Sequence, residues 1–176
     1  PVELRIVLRK RQAIAQIKKA SRFYPLDQSA MIMDSLPEAA FLALPVISGL
    51  EDKIKEPKPG HSYNVKELNN ILELVRLKNE SPLLGRYNLV RIDFSKGGLA
   101  SLFILDGAID TAPARKKDVP RPLVEVKFDP EKPVETIKVL TLLLSKRGLS
   151  LENLEYIDLK NPNSPVLLEK KEKAKN

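Results

Sequence analysis

The C-terminal segment constrains this chain most. Val134, Ile137, Leu140, Thr141 and Leu144 recur at helical spacing, and Leu142 and Leu143 widen the stripe. That pattern predicts a helix over residues 134–147, largely buried against a sheet, with Gly148 as the left-handed residue that ends it. Next come Leu154-Glu155-Tyr156-Ile157-Asp158-Leu159-Lys160, the polar turn Asn161-Pro162-Asn163-Ser164, and Pro165-Val166-Leu167-Leu168-Glu169-Lys170. A charged stretch closes the sequence. This order predicts a hairpin at one side of a sheet, with little chain beyond it to cover the last strand. A strand with an uncovered flank presents N–H and C=O groups that can accept a strand from another protein. Binding, not catalysis, is the expected function.

Composition narrows the alternatives. At 176 residues the chain supports one compact domain, or one domain plus a fragment, and 43% hydrophobic residues suffice for a core. Aromatic residues make up 5% and Trp is absent, so stacking platforms for single strands or sugars are poorly supplied. The net charge of +7 is spread over small clusters: Arg9-Lys10-Arg11, Lys18-Lys19, Arg115-Lys116-Lys117 and residues 170–175. Such runs are ordinarily a solvated surface, and attraction to anionic lipid head groups or acidic glycan stands beside that reading. No nucleic-acid motif accompanies the charge. The absence of Cys excludes disulfides and thiolate chemistry. No run of 18 apolar residues and no signal-peptide pattern is visible. Pro1 opens directly into a strand pattern, so the chain reads as a fragment whose N-terminal part lies upstream.

Val2, Leu4, Ile6 and Leu8 alternate as one face of a strand, and Ala13-Ile14-Ala15-Gln16-Ile17 reads as a second extended segment. Phe23-Tyr24-Pro25-Leu26-Asp27 and Ala30-Met31-Ile32-Met33 suggest a short hairpin turning at Asp27-Gln28-Ser29. Residues 39–44 fit a short helix or an extended run, and Leu44-Pro45-Val46-Ile47-Ser48-Gly49 reads as a punctuated connection. Asn64 and Glu67 form a candidate capping box before the stripe Val65, Leu68, Ile71, Leu72 and Val75, which Glu80-Ser81-Pro82 stops. Strands are predicted at residues 89–94, 99–105 and 123–128, with Ser95-Lys96-Gly97-Gly98 as a hairpin turn and residues 111–122 as a polar surface loop. Helices are expected to return to antiparallel hairpins. Strand and helix do not alternate regularly, so the expectation is α+β: a mostly antiparallel sheet packed against two main helices.

Catalytic constellations are missing. His61, the only histidine, lies in a loop sequence and cannot build a zinc site without Cys. Asp93, Asp106 and Asp110 fall at strand ends and turns, where Asp bonds locally. Ser95-Lys96-Gly97-Gly98 lacks the spacing of a phosphate loop, and Ser145-Lys146 are helix neighbours pointing in different directions. No catalytic residue, cofactor or metal is expected. Tyr156 is either an inward core residue or an outward aromatic anchor; if it faces out, Ile157 and Leu159 are the core pair. Val166 and Leu168 carry the same ambiguity, with the core favoured.

Four segments carry a family resemblance. Pro1-Val2-Glu3-Leu4-Arg5-Ile6-Val7 with Lys10-Arg11-Gln12-Ala13-Ile14-Ala15 resembles a "P-x-x-L-x-I-x-V … E-R-x-P-x-A" junction, and Phe23-Tyr24-Pro25-Leu26-Asp27 resembles a "Y-L-V-D" segment. Leu44-Pro45-Val46-Ile47-Ser48-Gly49-Leu50 resembles an "L-P-x-I-x-G" connection, and Tyr156-Ile157-Asp158-Leu159-Lys160 a terminal "V-D-L-R" strand. In order and spacing the chain resembles the extracytoplasmic part of the bacterial cell-division proteins of the FtsQ/DivIB family. It departs in Ala13 for the usual proline, in Lys160 for a common arginine, and in the long 111–122 stretch.

The resemblance implies that residues 1–20 end a POTRA domain and its junction, that 21–168 form the FtsQ/DivIB β domain, and that 169–176 are a charged tail. It implies a non-enzymatic divisome scaffold at the septum, single-pass in the cytoplasmic membrane through a helix absent from this chain, with this domain extracytoplasmic. The implied partners are FtsB (DivIC) and FtsL, bound by strand addition, with no nucleic acid and no small-molecule substrate. Carried over by position, the partner-binding residues are Tyr156, Asp158, Lys160, Asn163, Ser164, Val166 and Leu168. The alternative is a basic extracytoplasmic module for anionic lipid or cell-wall glycan, with Arg115, Lys116 and Lys117 as its marker residues.

Overall fold

The computed structural model describes residues 10–37, 43–94, 98–107, 123–146 and 150–170. The expected strand at 2–8, residues 39–42, Ser95, Lys96 and Gly97 of the predicted turn, the 111–122 loop, Gly148 and the tail beyond 170 lie outside them.

Nine strands form one sheet. In chain order they are β1 (Ala15–Lys19), β2 (Arg22–Leu26), β3 (Leu36–Pro37), β4 (Val46–Ser48), β5 (Tyr87–Phe94), β6 (Ala100–Asp106), β7 (Val124–Phe128), β8 (Leu154–Leu159) and β9 (Val166–Glu169). Helix α1 (Lys66–Glu80) joins β4 to β5, and α2 (Pro133–Ser145) joins β7 to β8. The spatial order is β3-β2-β1-β4-β5-β6-β7-β8-β9. The ladders β1/β4, β4/β5 and β7/β8 are parallel and the other five are antiparallel, so the sheet is mixed. Residues 15–19, as β1, are part of this sheet, between β2 and β4.

Both helices are parallel crossovers, and each returns the chain to an antiparallel strand pair as expected, β5/β6 after α1 and β8/β9 after α2. β4 and β7 run in the same direction, and each crossover moves one strand the same way along the sheet. The shared handedness of such connections therefore puts α1 and α2 on one face, where they touch. Their stripes meet the alternate inward residues of the sheet: Leu68, Ile71 and Leu72 of α1 and Leu140, Leu143 and Leu144 of α2 are buried. Ile92, Leu102, Val126, Phe128, Ile157 and Leu159 are the facing sheet residues, each at most 2% exposed. The opposite face of the sheet has no helix among the described residues.

Local chemistry explains the boundaries. The residue before a proline is held out of helical geometry; Ser81, before Pro82, sits at φ −77° and ψ 118°, and α1 stops there. Pro133 begins α2, where its missing N–H loses no helical bond. Asp27 builds the β2 turn: its Oδ1 accepts the Ser29 N–H at 2.8 Å and the Met31 N–H at 3.0 Å, and Leu26 then bridges Ile32.

Two local expectations are corrected. Val46–Ser48 is not a connection but β4, a three-residue strand between β1 and β5. It is too short to show periodicity, and Pro45 sits just before its first residue, where it loses no donor from the ladder. Gly49 must follow it, because φ is +85° and a Cβ there would lie 2.5 Å from the Phe94 carbonyl oxygen. The capping box does not form either. Val65 is the N-cap, with no side-chain cap; the Asn64 side chain accepts from Asn69 Nδ2 at 2.9 Å, and Glu67 pairs with Lys53.

Candidate strand-addition edge

β8 begins with the buried Leu154, shifts register against β9 between Leu154 and Tyr156, and alternates from Tyr156 on. Ile157 and Leu159 are buried in the core, while Tyr156 and Asp158 are half-buried on the open face. Tyr156 thus faces outward, and Ile157 and Leu159 are the core pair. The chain then turns through Asn161, whose Oδ1 accepts the Asn163 N–H at 3.2 Å and whose carbonyl accepts the Ser164 N–H at 3.0 Å. This Asx turn returns the chain as β9, antiparallel to β8, with Leu168 opposite Tyr156, Leu167 opposite Ile157 and Val166 opposite Asp158. Lys170 pins the far end of the hairpin: its N–H donates to the Asn153 carbonyl and its ammonium to the Glu152 carbonyl, both at 2.8 Å.

The register decides which β9 side chains face inward. Leu167 packs against the core, whereas Val166 is 53% and Leu168 40% exposed. The expectation that Val166 and Leu168 belong to the core is therefore wrong. An unbroken Val-Leu-Leu run carries no alternation from which the face can be read, and the Tyr156–Leu168 register sets it.

Among the described residues no strand pairs with the outer flank of β9, the last in the sheet order. β8 is different: β7 and β9 occupy its two flanks. Tyr156 and Asp158 thus lie on an interior strand, and the open rung belongs to β9 alone. At the other end of the sheet β3 is only two residues long and ends in Pro37, a blunted edge. The four-residue β9 has no internal proline.

The open face beside this edge is a pair of cross-strand rows. One runs Arg91, Phe103, Glu125, Tyr156, Leu168; the other Asp93, Ser101, Lys127, Asp158, Val166. Their polar groups satisfy one another. Arg91 stacks 4.2 Å from the Phe103 ring centroid and its Nε meets Asp93 Oδ2 at 2.7 Å, and Ser101 Oγ donates to Glu125 at 2.7 Å. Asp158 accepts the Lys160 N–H at 3.0 Å and its Oδ2 meets the Lys160 ammonium at 3.0 Å. Partial burial would raise the Asp158 pKa, but the Lys160 hydrogen bonds and the positive charges of Lys160 and Lys127 together hold it below the ordinary carboxylate value. Each row ends in an exposed aliphatic residue on the open strand. The sequence reading missed these rows; the Glu125-Val126-Lys127 alternation in β7 was their one legible signal.

The other candidates stay apart. His61 is exposed in its loop. Asp93 is held by Ser48 and Arg91, and Asp106 sits at the far end of β6. Asp93 pairs with Ser101, five residues from Asp106, so roughly 17 Å of strand separates the two carboxylates. Ser145 Oγ donates to the Leu142 carbonyl at 2.8 Å, an ordinary helix-end bond. Asp110, Arg115, Lys116 and Lys117 lie outside the described residues. Among the described residues no group of three or more His, Cys, Asp or Glu is placed to hold a metal. No protein-family model matches this sequence, and a search of curated proteins finds no match.

Proposed function

We propose that this chain is an extracytoplasmic β domain of the FtsQ/DivIB type, a non-enzymatic divisome scaffold that takes a strand of FtsB (DivIC), held with FtsL, onto β9. The observation that carries this reading is the position of β9: last in the sheet, with its outer flank unpaired among the described residues. The four sequence segments quoted above support the family, and the preponderance of antiparallel ladders supports the sheet as its β domain.

Strand addition suits this edge. Backbone bonds supply affinity, about 1 kcal/mol net for each one formed, and alternate side chains supply selectivity. Val166 and Leu168 are roughly half exposed, so a partner that covers them gains about 1 kcal/mol from each. Lys160 stands beside the turn as a point charge toward a partner carboxylate, without the bidentate fork of arginine, and it would have to share that role with Asp158. Asn163 and Ser164 lie in the turn of the same hairpin, and Tyr156 sits opposite Leu168 farther along its strands. In this reading the domain sits outside the cytoplasmic membrane at the septum, anchored by a helix outside this sequence. Among the described residues no helix is long and apolar enough to cross a membrane.

The test is co-purification of this chain with the FtsB–FtsL coiled-coil pair. Retention of the pair by the wild type, and its loss with Leu168→Asp while the fold persists, support the reading. A folded wild-type chain that fails to retain the pair counts against it.

A further inference from the structure

The β1–β2 hairpin, on the far side of the sheet from β9, gathers two features that each cost stability. Its register sets Lys19 directly opposite Arg22, and like charges opposite one another in a ladder repel. The two-residue loop Ala20-Ser21 holds Ala20 at φ 52°, a left-handed conformation that glycine adopts freely and alanine does not. Strain kept at one turn points to a use for that turn.

The Arg22 guanidinium is placed, not loose. Arg22 Nε donates to Ser35 Oγ at 2.9 Å and its Nη2 reaches the Ser35 carbonyl at 3.4 Å. That fixes the guanidinium and leaves its remaining donors for another acceptor. Among the described residues neither Lys19 nor Arg22 forms an ion pair with a carboxylate. The tip itself is only Ala20 and Ser21, both exposed, with no large apolar side chain.

We infer that the tip of the β1–β2 hairpin binds a phosphate monoester, bridged between the Lys19 ammonium and the Arg22 guanidinium. Two like charges roughly 5 Å apart at Cβ call for one ligand that satisfies both. A phosphate monoester carries about −1.5 to −2 charges and three acceptor oxygens, and guanidinium binds it in bidentate fashion. A single carboxylate, with one charge, leaves one cation uncompensated. Occupancy turns the repulsion between Lys19 and Arg22 into shared attraction, and the interaction weakens with salt because the tip is open to water. Five strands separate β1 from β9, roughly 25–30 Å, so this site does not compete with strand addition.

The test is an NMR titration of the 15N-labelled chain with inorganic phosphate, against sodium chloride at matched ionic strength. Amide shifts at Lys19, Ala20, Ser21 and Arg22 are expected with phosphate alone. Lys19→Glu should weaken phosphate binding at least tenfold and raise the melting temperature, because it makes the cross-strand pair attractive. A hairpin with a purely structural role would not couple tighter folding to lost binding. Ala20→Gly should raise the melting temperature and keep binding. Co-sedimentation with phosphatidylcholine vesicles only when they contain phosphatidic acid assigns a lipid headgroup; phosphate shifts without co-sedimentation assign a soluble phosphate ester, and either supports the site. Equal shifts in chloride, an adventitious ion only, or phosphate binding unchanged in Lys19→Glu, overturns it.

Discussion

The Lys127 ammonium lies 4.6 Å from the ring centroid of Tyr156, across the parallel β7/β8 ladder and one strand in from the open edge. The contact holds the Tyr156 ring on the open face, where it borders Leu168. A cation over an aromatic face at a partly exposed site contributes about 0.5–1 kcal/mol. A double-mutant cycle with Lys127→Met and Tyr156→Leu, read by urea unfolding, should return a coupling of about that size. Additive effects would show that the ring is placed by its other neighbours.

Alternation along β9 separates folding from binding. Leu167 packs inward, so Leu167→Ala should cost about 1–2 kcal/mol of stability. Leu168 faces out, so Leu168→Asp should change stability by no more than about 0.5 kcal/mol while weakening partner capture. Chemical denaturation of the two variants checks the first half, and partner retention the second. Equal destabilisation would mean the register of β9 is wrong.

Gly49 ties β4 to β5. Alanine there meets both a positive φ and the Phe94 carbonyl, which belongs to the backbone and cannot swing aside. Gly49→Ala should lower stability by about 1–3 kcal/mol, seen as a fall in melting temperature.

Asp27 predicts an acid dependence. Burial works to raise its pKa, but the Met31 and Ser29 N–H groups and the Arg11 guanidinium outweigh it and hold the carboxyl below its ordinary 3.8. A depressed folded-state value contributes stability above the unfolded value, and that contribution is lost as pH falls through the folded one. Urea unfolding should therefore show wild-type stability declining below about pH 4, with a shallower decline in Asp27→Asn, whose amide oxygen can still accept the two backbone bonds. Parallel declines would remove Asp27 as a source of the acid sensitivity.

What could be read from the sequence follows from the length of each pattern. The α1 stripe spans four turns and ends at a proline, so helix and terminus were both legible. The alternation in β7 likewise marked a strand. β4 has three residues between Pro45 and Gly49, and what makes it a strand is the pairing with β1 and β5, which no local pattern encodes. The same holds for the site. The hairpin was visible in its Asn-Pro-Asn-Ser turn, but the outward facing of Val166 and Leu168 depends on cross-strand register, as does the interior place of β8. Asn64 shows the limit of short motifs: Val65, one residue on, takes the cap position, and the Asn64 side chain finds Asn69 instead.

Hydrogen–deuterium exchange of the β9 amides, with and without a peptide from the juxtamembrane region of an FtsB homologue, tests the strand-addition proposal most directly. Bound peptide should slow exchange at Val166–Glu169, in the N–H groups directed away from β8, and leave the β1–β3 amides unchanged. A folded domain whose β9 exchanges at the same rate under saturating peptide, or whose protection appears elsewhere on the sheet, would contradict it.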